Sequence, residues 1–110
     1  MVVLVVVNTN IAWAAGLIEG EGCFTSHTNS PYFLMDSTDE DVLRKFQVVF
    51  PFTTFRGPYN HQHKEHYKPR WRVDAFGPKA VIVMEAVYDY MGTRRKEKID
   101  QLLKAYKEKL

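Results

Sequence analysis

A chain of 110 residues is long enough for one modest core and too short for two, which predicts a single domain over residues 1–110; its 45% apolar and 25% charged content is ordinary for a soluble globular protein. A single cysteine, Cys23, excludes an intramolecular disulfide and fits a reducing, intracellular compartment. The formal charge of +2 conceals a split: residues 1–50 carry two basic and six acidic side chains and residues 51–110 thirteen and seven, so the basic surface belongs to the second half.

Met1–Val7 is apolar, far too short to span a bilayer, and lacks the basic start and cleavage site of a signal peptide. It reads as a strand or arm lying on the body or on a partner, because an exposed uncharged valine run invites aggregation. Asn8, Thr9 and Asn10 offer N-cap side chains, and Ile11, Ala14, Ala15, Leu17 and Ile18 continue at helical spacing to about Glu21. Cys23 reads as a small buried residue at a strand start. Phe24–His27 and Tyr32–Asp36 are predicted strands around the turn formers Thr28-Asn29-Ser30-Pro31. Thr38 is expected to cap a second helix with Asp39, Glu40 and Asp41 in its first turn, Val42, Leu43, Phe46 and Val49 as its apolar stripe, and Pro51 as its stop. Thr53–Tyr59 and Tyr67–Phe76 form a second hairpin joined by a polar stretch. After Gly77-Pro78, Ala80–Tyr90 and Lys96–Lys109 are predicted helices. The order helix, two strands, helix, two strands, two helices is an α+β pattern, with a four-stranded antiparallel sheet backed by helices on one face.

The segment Trp13–Cys23, WAAGLIEGEGC, concentrates the chemistry. Ala12, Gly16 and Gly20 fall on one stripe of the first helix, because side chains four apart lie one above the other. Glycine inside a helix costs roughly 1 kcal/mol against alanine, so two of them point to close backbone contact with another helix. The chain holds no second copy of this segment, so the partner is another molecule of the same kind, packed about a two-fold axis. That axis brings two Glu21 carboxylates together, which is unfavourable unless a cation lies between them. Oxygen donors completed by substrate phosphates and water suit magnesium. The residues therefore predict a symmetric dimer with a divalent metal site on its axis.

The nine residues Ala14-Ala15-Gly16-Leu17-Ile18-Glu19-Gly20-Glu21-Gly22 resemble the signature of the LAGLIDADG homing endonucleases, with Ala for the first Leu, Gly for the second Ala and Glu for both Asp. Ser37-Thr38-Asp39-Glu40-Asp41-Val42-Leu43 is similar to the start of that family's second helix, and Tyr90-Met91-Gly92-Thr93-Arg94-Arg95-Lys96 to its basic segment before the final helix. The resemblance implies a homing-endonuclease-like fold whose sheet binds DNA. It also implies a homodimeric, site-specific double-stranded DNA endonuclease of the mobile-intron type, acting on a near-palindromic site with two or three shared Mg2+ ions per dimer. Its compartment would be the cytoplasm of a phage or microbial host, or an organelle. Glu21 maps onto the metal-binding acid. Arg94 matches the basic position near the scissile phosphate, with Arg95 and Lys96 beside it on the DNA, and Asp36 the place of a water-positioning residue. Thr25, His27 and Asn29 on the first hairpin would face DNA. That hairpin is short beside the long base-reading ribbon of relatives, so either the footprint is small or specificity has moved to the second hairpin.

Between Arg56 and Arg72 lie five Lys or Arg residues, three of the four histidines and one acid, Glu65. Alternation places Lys68, Arg70 and Arg72 on one surface while Trp71 and Val73 face the helices. A two-stranded ribbon fits the major groove, where arginine reads guanine and Lys or His reaches phosphates. Arg56, Tyr59, His61, His63, Lys64, Lys68, Arg70 and Arg72 are therefore candidate DNA contacts. His61, His63 and His66 lack acidic or Cys partners at zinc spacing. Two other functions use the same surface: a DNA-binding protein of this fold that has lost cleavage, and an RNA-binding intron splicing cofactor.

Overall fold

The computed structural model describes residues 2–60 and 68–110, with side chains from residue 10 onward in that range. Its elements are α1 (Val2–Glu21), β1 (Gly22–His27), β2 (Ser30–Ser37), α2 (Glu40–Val49), β3 (Thr54–Tyr59), β4 (Arg70–Phe76), α3 (Pro78–Val87), a 3-10 turn (Tyr88–Tyr90) and α4 (Thr93–Lys109). The sheet is antiparallel throughout, in the order β1-β2-β4-β3, as the α+β pattern predicts. His61, His63, Lys64 and His66 lie outside the described residues.

One face of the sheet is apolar because every second residue is: Phe24 on β1, Phe33 and Met35 on β2, Val73 and Ala75 on β4 are all buried. Against them pack Ala14, Ala15 and Ile18 of α1, Leu43 and Phe46 of α2, Ala80, Val83, Met84 and Val87 of α3, and Ile99 and Leu102 of α4. Phe46 links sheet to helix, with its ring centroid 5.7 Å from Phe33 and 5.3 Å from Phe50. Burying such a side chain contributes about 1.5–3 kcal/mol, so this layer fixes how the opposite face is presented.

Four local expectations need correction. The valine run is neither strand nor arm: it continues α1 back to Val2, through the polar triplet expected to cap it. β-Branched residues cost only tenths of a kcal/mol each in a helix, and a helix satisfies its own backbone without a partner strand. The cap of α2 is Asp39 rather than Thr38, and its backbone N–H donates to Ser37 Oγ at 3.0 Å. Helix α4 starts at Thr93, so Arg94, Arg95 and Lys96 project from its first turn in three directions. Cys23 is exposed, because Phe24 takes the inward position and alternation turns Cys23 and Thr25 outward.

Two glycines place the second half of the chain. Gly77 has φ +64° and donates its N–H to the Pro31 carbonyl at 2.9 Å, turning the chain from β4 into α3. Gly57, φ +119°, lies where a Cβ would meet the Arg70 carbonyl oxygen at 2.9 Å. The β3–β4 register shifts there, between Arg56 and Tyr59. Among the described residues no helix is long and apolar enough to cross a membrane.

Candidate nucleic-acid interface and acidic cleft

The face of the sheet away from the helices carries the polar residues in cross-strand rows. Nearest the end of α1, Asp36, Arg72 and Arg56 stand opposite one another on β2, β4 and β3. The next row is Cys23, Leu34, Asp74 and Thr54, and beyond it lie Thr25, Tyr32 and Phe76, with His27 opposite Ser30 at the turn. Asp36 grips Arg72 bidentately, accepting from Nε at 2.6 Å and from Nη2 at 3.1 Å. These bonds raise the arginine's pKa above its ordinary value and leave the donors on the other edge of the guanidinium without a carboxylate partner among the described residues. Its carbon lies 5.9 Å from the Tyr59 ring.

Arg56 Nε donates to Asp74 Oδ2 at 2.6 Å, and Tyr32 Oη donates to the same oxygen at 3.2 Å. Asp74 is only 4% exposed, so it is a buried carboxylate with two donors rather than a surface charge. Burial, and then the neighbouring Asp74, push the Tyr32 phenol above its usual pKa. Arg70 and Lys68 are exposed and form no ion pair among the described residues. Among the described residues, Arg56 and Arg72 are thus paired with carboxylates, and Arg70 and Lys68 are not. Thr25 is half-buried in the outermost row, and His27 and Asn29 are exposed at the hairpin end.

Glu21, the last residue of α1, opens into a cleft of about 510 Å³ lined also by Leu17, Asp36, Asp39 and Arg70. Chain order does not suggest this grouping; the β1–β2 register does, by placing Met35 opposite Gly22 and so Asp36 beside Glu21. Of the carboxylates around the helix end, Glu19 and Asp36 are taken by arginines, while Glu21 and Asp39 have no ion-pair partner among the described residues. No three His, Cys, Asp or Glu side chains converge on one point among the described residues. The chemistry of Glu21, an oxygen donor with no ion-pair partner among the described residues, fits a hard cation.

The basic segment divides by direction. Arg94 is exposed and lines a second cleft of about 450 Å³ with Gly22, Cys23 and Glu97. Arg95, expected on the DNA, turns inward: its side chain is 12% exposed, Nε stands 3.2 Å from Glu19 Oε2, and Nη2 donates to the Glu19 carbonyl at 3.1 Å. It thereby satisfies a last-turn carbonyl of α1 with a cation, the favourable charge at that helix end. Lys96 points away from Arg94, its Nζ 5.5 Å from the Tyr88 ring. A Cβ on Gly92 would come to 3.0 Å from Glu19 Oε1, so a side chain there would press on the carboxylate that Arg95 holds.

On α1, Gly16 and Gly20 are exposed and Ala12 is half-buried, on the side away from Ala14, Ala15 and Ile18. A Cβ on either glycine would meet nothing within 4 Å in this chain. Tyr32, Asp74 and Phe76 escape the sequence reading, although their even-numbered spacing with Arg72 and Leu34 is the signal that puts them on the outer face.

The chain is similar to the crystal structure of the homing endonuclease I-CvuI in complex with its target (Sro1.3) in 2 mM Ca: TM-score 0.65 and 15% identity over 94% of this chain and 71% of that one. A second I-CvuI complex, with the I-CreI target in 2 mM Mg and the DNA not cleaved, gives 0.63 and 15% over 90% and 69%. The archaeal intron-encoded homing endonuclease I-Vdi141I complexed with DNA gives 0.62 and 12% over 84% and 64%. No protein-family model matches the chain, and no curated protein matches it in sequence. The likeness is one of fold: the chain has a LAGLIDADG homing-endonuclease-like fold.

Proposed function

We propose that this chain is one subunit of a homodimeric, magnesium-dependent endonuclease that cuts double-stranded DNA at a near-palindromic site in an intracellular compartment. The observation that carries the reading is Glu21, a carboxylate at the end of α1 with no ion-pair partner among the described residues, in a fold whose solved neighbours were crystallised on DNA. Helix α1 would pack on its copy through Ala12, Gly16 and Gly20, setting the two Glu21 residues beside one axis. Each subunit would then present the same outer sheet face to one half-site.

Glu21 would hold the cation, with its set completed by the second subunit and the scissile phosphates. A divalent ion bound there supplies Lewis-acid activation of water and charge neutralisation at the leaving oxygen. Arg70, without an ion pair among the described residues and lining the same cleft, and Arg94, at the neighbouring one, would hold phosphate oxygens. Asp36 is proposed to act through Arg72, whose guanidinium it orients, rather than as a free base. Arg95 and Glu19 would fix the end of α1 against α4 and so set where Glu21 points.

The test is a selection from a randomised duplex library with purified protein and Mg2+, reading both bound and cut molecules. A single near-palindromic site that is bound and cut supports the reading. Binding without any cleavage indicates a binder of this fold, and preference for intron RNA over every duplex indicates a splicing cofactor.

A further inference from the structure

The outer face is not uniform along its strands. At the Glu21 end it presents Arg72 and Arg56 held by carboxylates; at the hairpin end it presents an aromatic group. Phe76 is 46% exposed, an unusual placement for a phenylalanine at the end of a central strand, and its ring lies 6.1 Å from Tyr32 and 6.2 Å from His27, edge-on in both pairs. The aliphatic side chain of Leu34 and the exposed Cys23 continue this apolar strip toward the arginines. Water gains nothing from such a surface, and the hydrophobic groups available in the major groove are the C5-methyl groups of thymine.

We propose that Phe76, backed by Tyr32 and His27, is a thymine-selecting subsite, and that the Arg72–Arg56 row selects guanine nearer the cut; this rests on the reading that the outer face lies in the major groove. Arg72 is suited to guanine because Asp36 occupies its Nε edge and leaves an outward pair of donors for O6 and N7. The spacing follows from the strand. Phe76 is four residues beyond Arg72 on β4, roughly 13 Å at 3.3 Å per residue. With bases stacked about 3.4 Å apart, the thymine preference falls about four base pairs outside the guanine preference in each half-site.

The experiment is a binding selection from a randomised duplex library without cleavage, in calcium, followed by titrations on the selected site with the thymine replaced by deoxyuridine, which lacks only the methyl group. Parent protein is expected to lose about 4-fold in affinity for each half-site so replaced, the equivalent of one buried methyl group apiece. Phe76→Ser should bind thymine and uracil equally, while Phe76→Leu, which keeps an apolar contact and guards against a folding artefact, should keep the preference. Selected sites with no thymine preference outside the guanine, or a parent that binds uracil as tightly as thymine, would overturn the subsite and leave DNA binding intact. A parent that enriches no duplex at all would overturn both readings.

Discussion

Replacing Arg70 by alanine isolates the electrostatic part of DNA recognition, because the sheet separates free cations from paired ones. Arg56 and Arg72 each lie 2.6 Å from a carboxylate oxygen, so their charges are largely balanced before DNA arrives. Arg70 and Lys68 are unpaired among the described residues and retain their full charge for phosphates. Each neutralised phosphate contributes about 0.9 to the slope of log affinity against log salt, so losing Arg70 from two subunits should lower that slope by about 1.8. Between about 50 and 200 mM salt the parent should then lose roughly 12-fold more affinity than Arg70→Ala. Asp36→Asn should move the slope the other way, since it leaves Arg72 charged with no counter-ion. Fluorescence-anisotropy titrations of a fixed duplex at four salt concentrations measure both. An Arg70→Ala slope equal to that of the parent, or an Asp36→Asn slope below it, would refute the division into paired and free cations.

Gly16→Leu should leave each subunit folded, since a Cβ there meets nothing within the chain, yet separate the two α1 backbones; sedimentation is expected to show monomer, and an unchanged dimer mass would move the interface elsewhere. Thr28→Gly should stabilise the fold by about 0.5–1 kcal/mol in denaturant titrations, because Thr28 holds φ +51° in the first hairpin turn, where a β-branched residue is strained. The Tyr32 phenol, with its pKa raised by burial and by Asp74, adds stability that is complete below pH 10 and lost as pH rises through its folded-state value. Tyr32→Phe should therefore flatten the alkaline side of the stability profile, and a profile identical to the parent's would remove that coupling.

The fold was legible because each element carries a period of its own: alternation in β1, β2 and β4, and helical spacing in α2 and α3. Local sequence misplaced the ends where two conformations compete closely. The valine run reads as strand by composition and becomes helix because α1 propagates into it. Glu21 was legible from its place in a short motif and Arg72 from strand parity. Arg95 was not, since its distance from Glu19 in sequence hides a contact that forms only where the first turn of α4 meets the last turn of α1. Asp74 and Asp36 show the same limit: alternation puts them on the outer face, but only the cross-strand register reveals that they neutralise Arg56 and Arg72.

The central claim concerns Glu21, and the most direct measurement compares cleavage and binding by the parent and Glu21→Gln on one selected duplex, in magnesium and in calcium. The substitution preserves shape and removes one charge per subunit, so binding should be retained in both metals while magnesium-dependent cleavage falls by at least about two orders of magnitude. Glu21→Gln protein that cuts at the parent's rate would contradict the assignment, whatever the duplex selected.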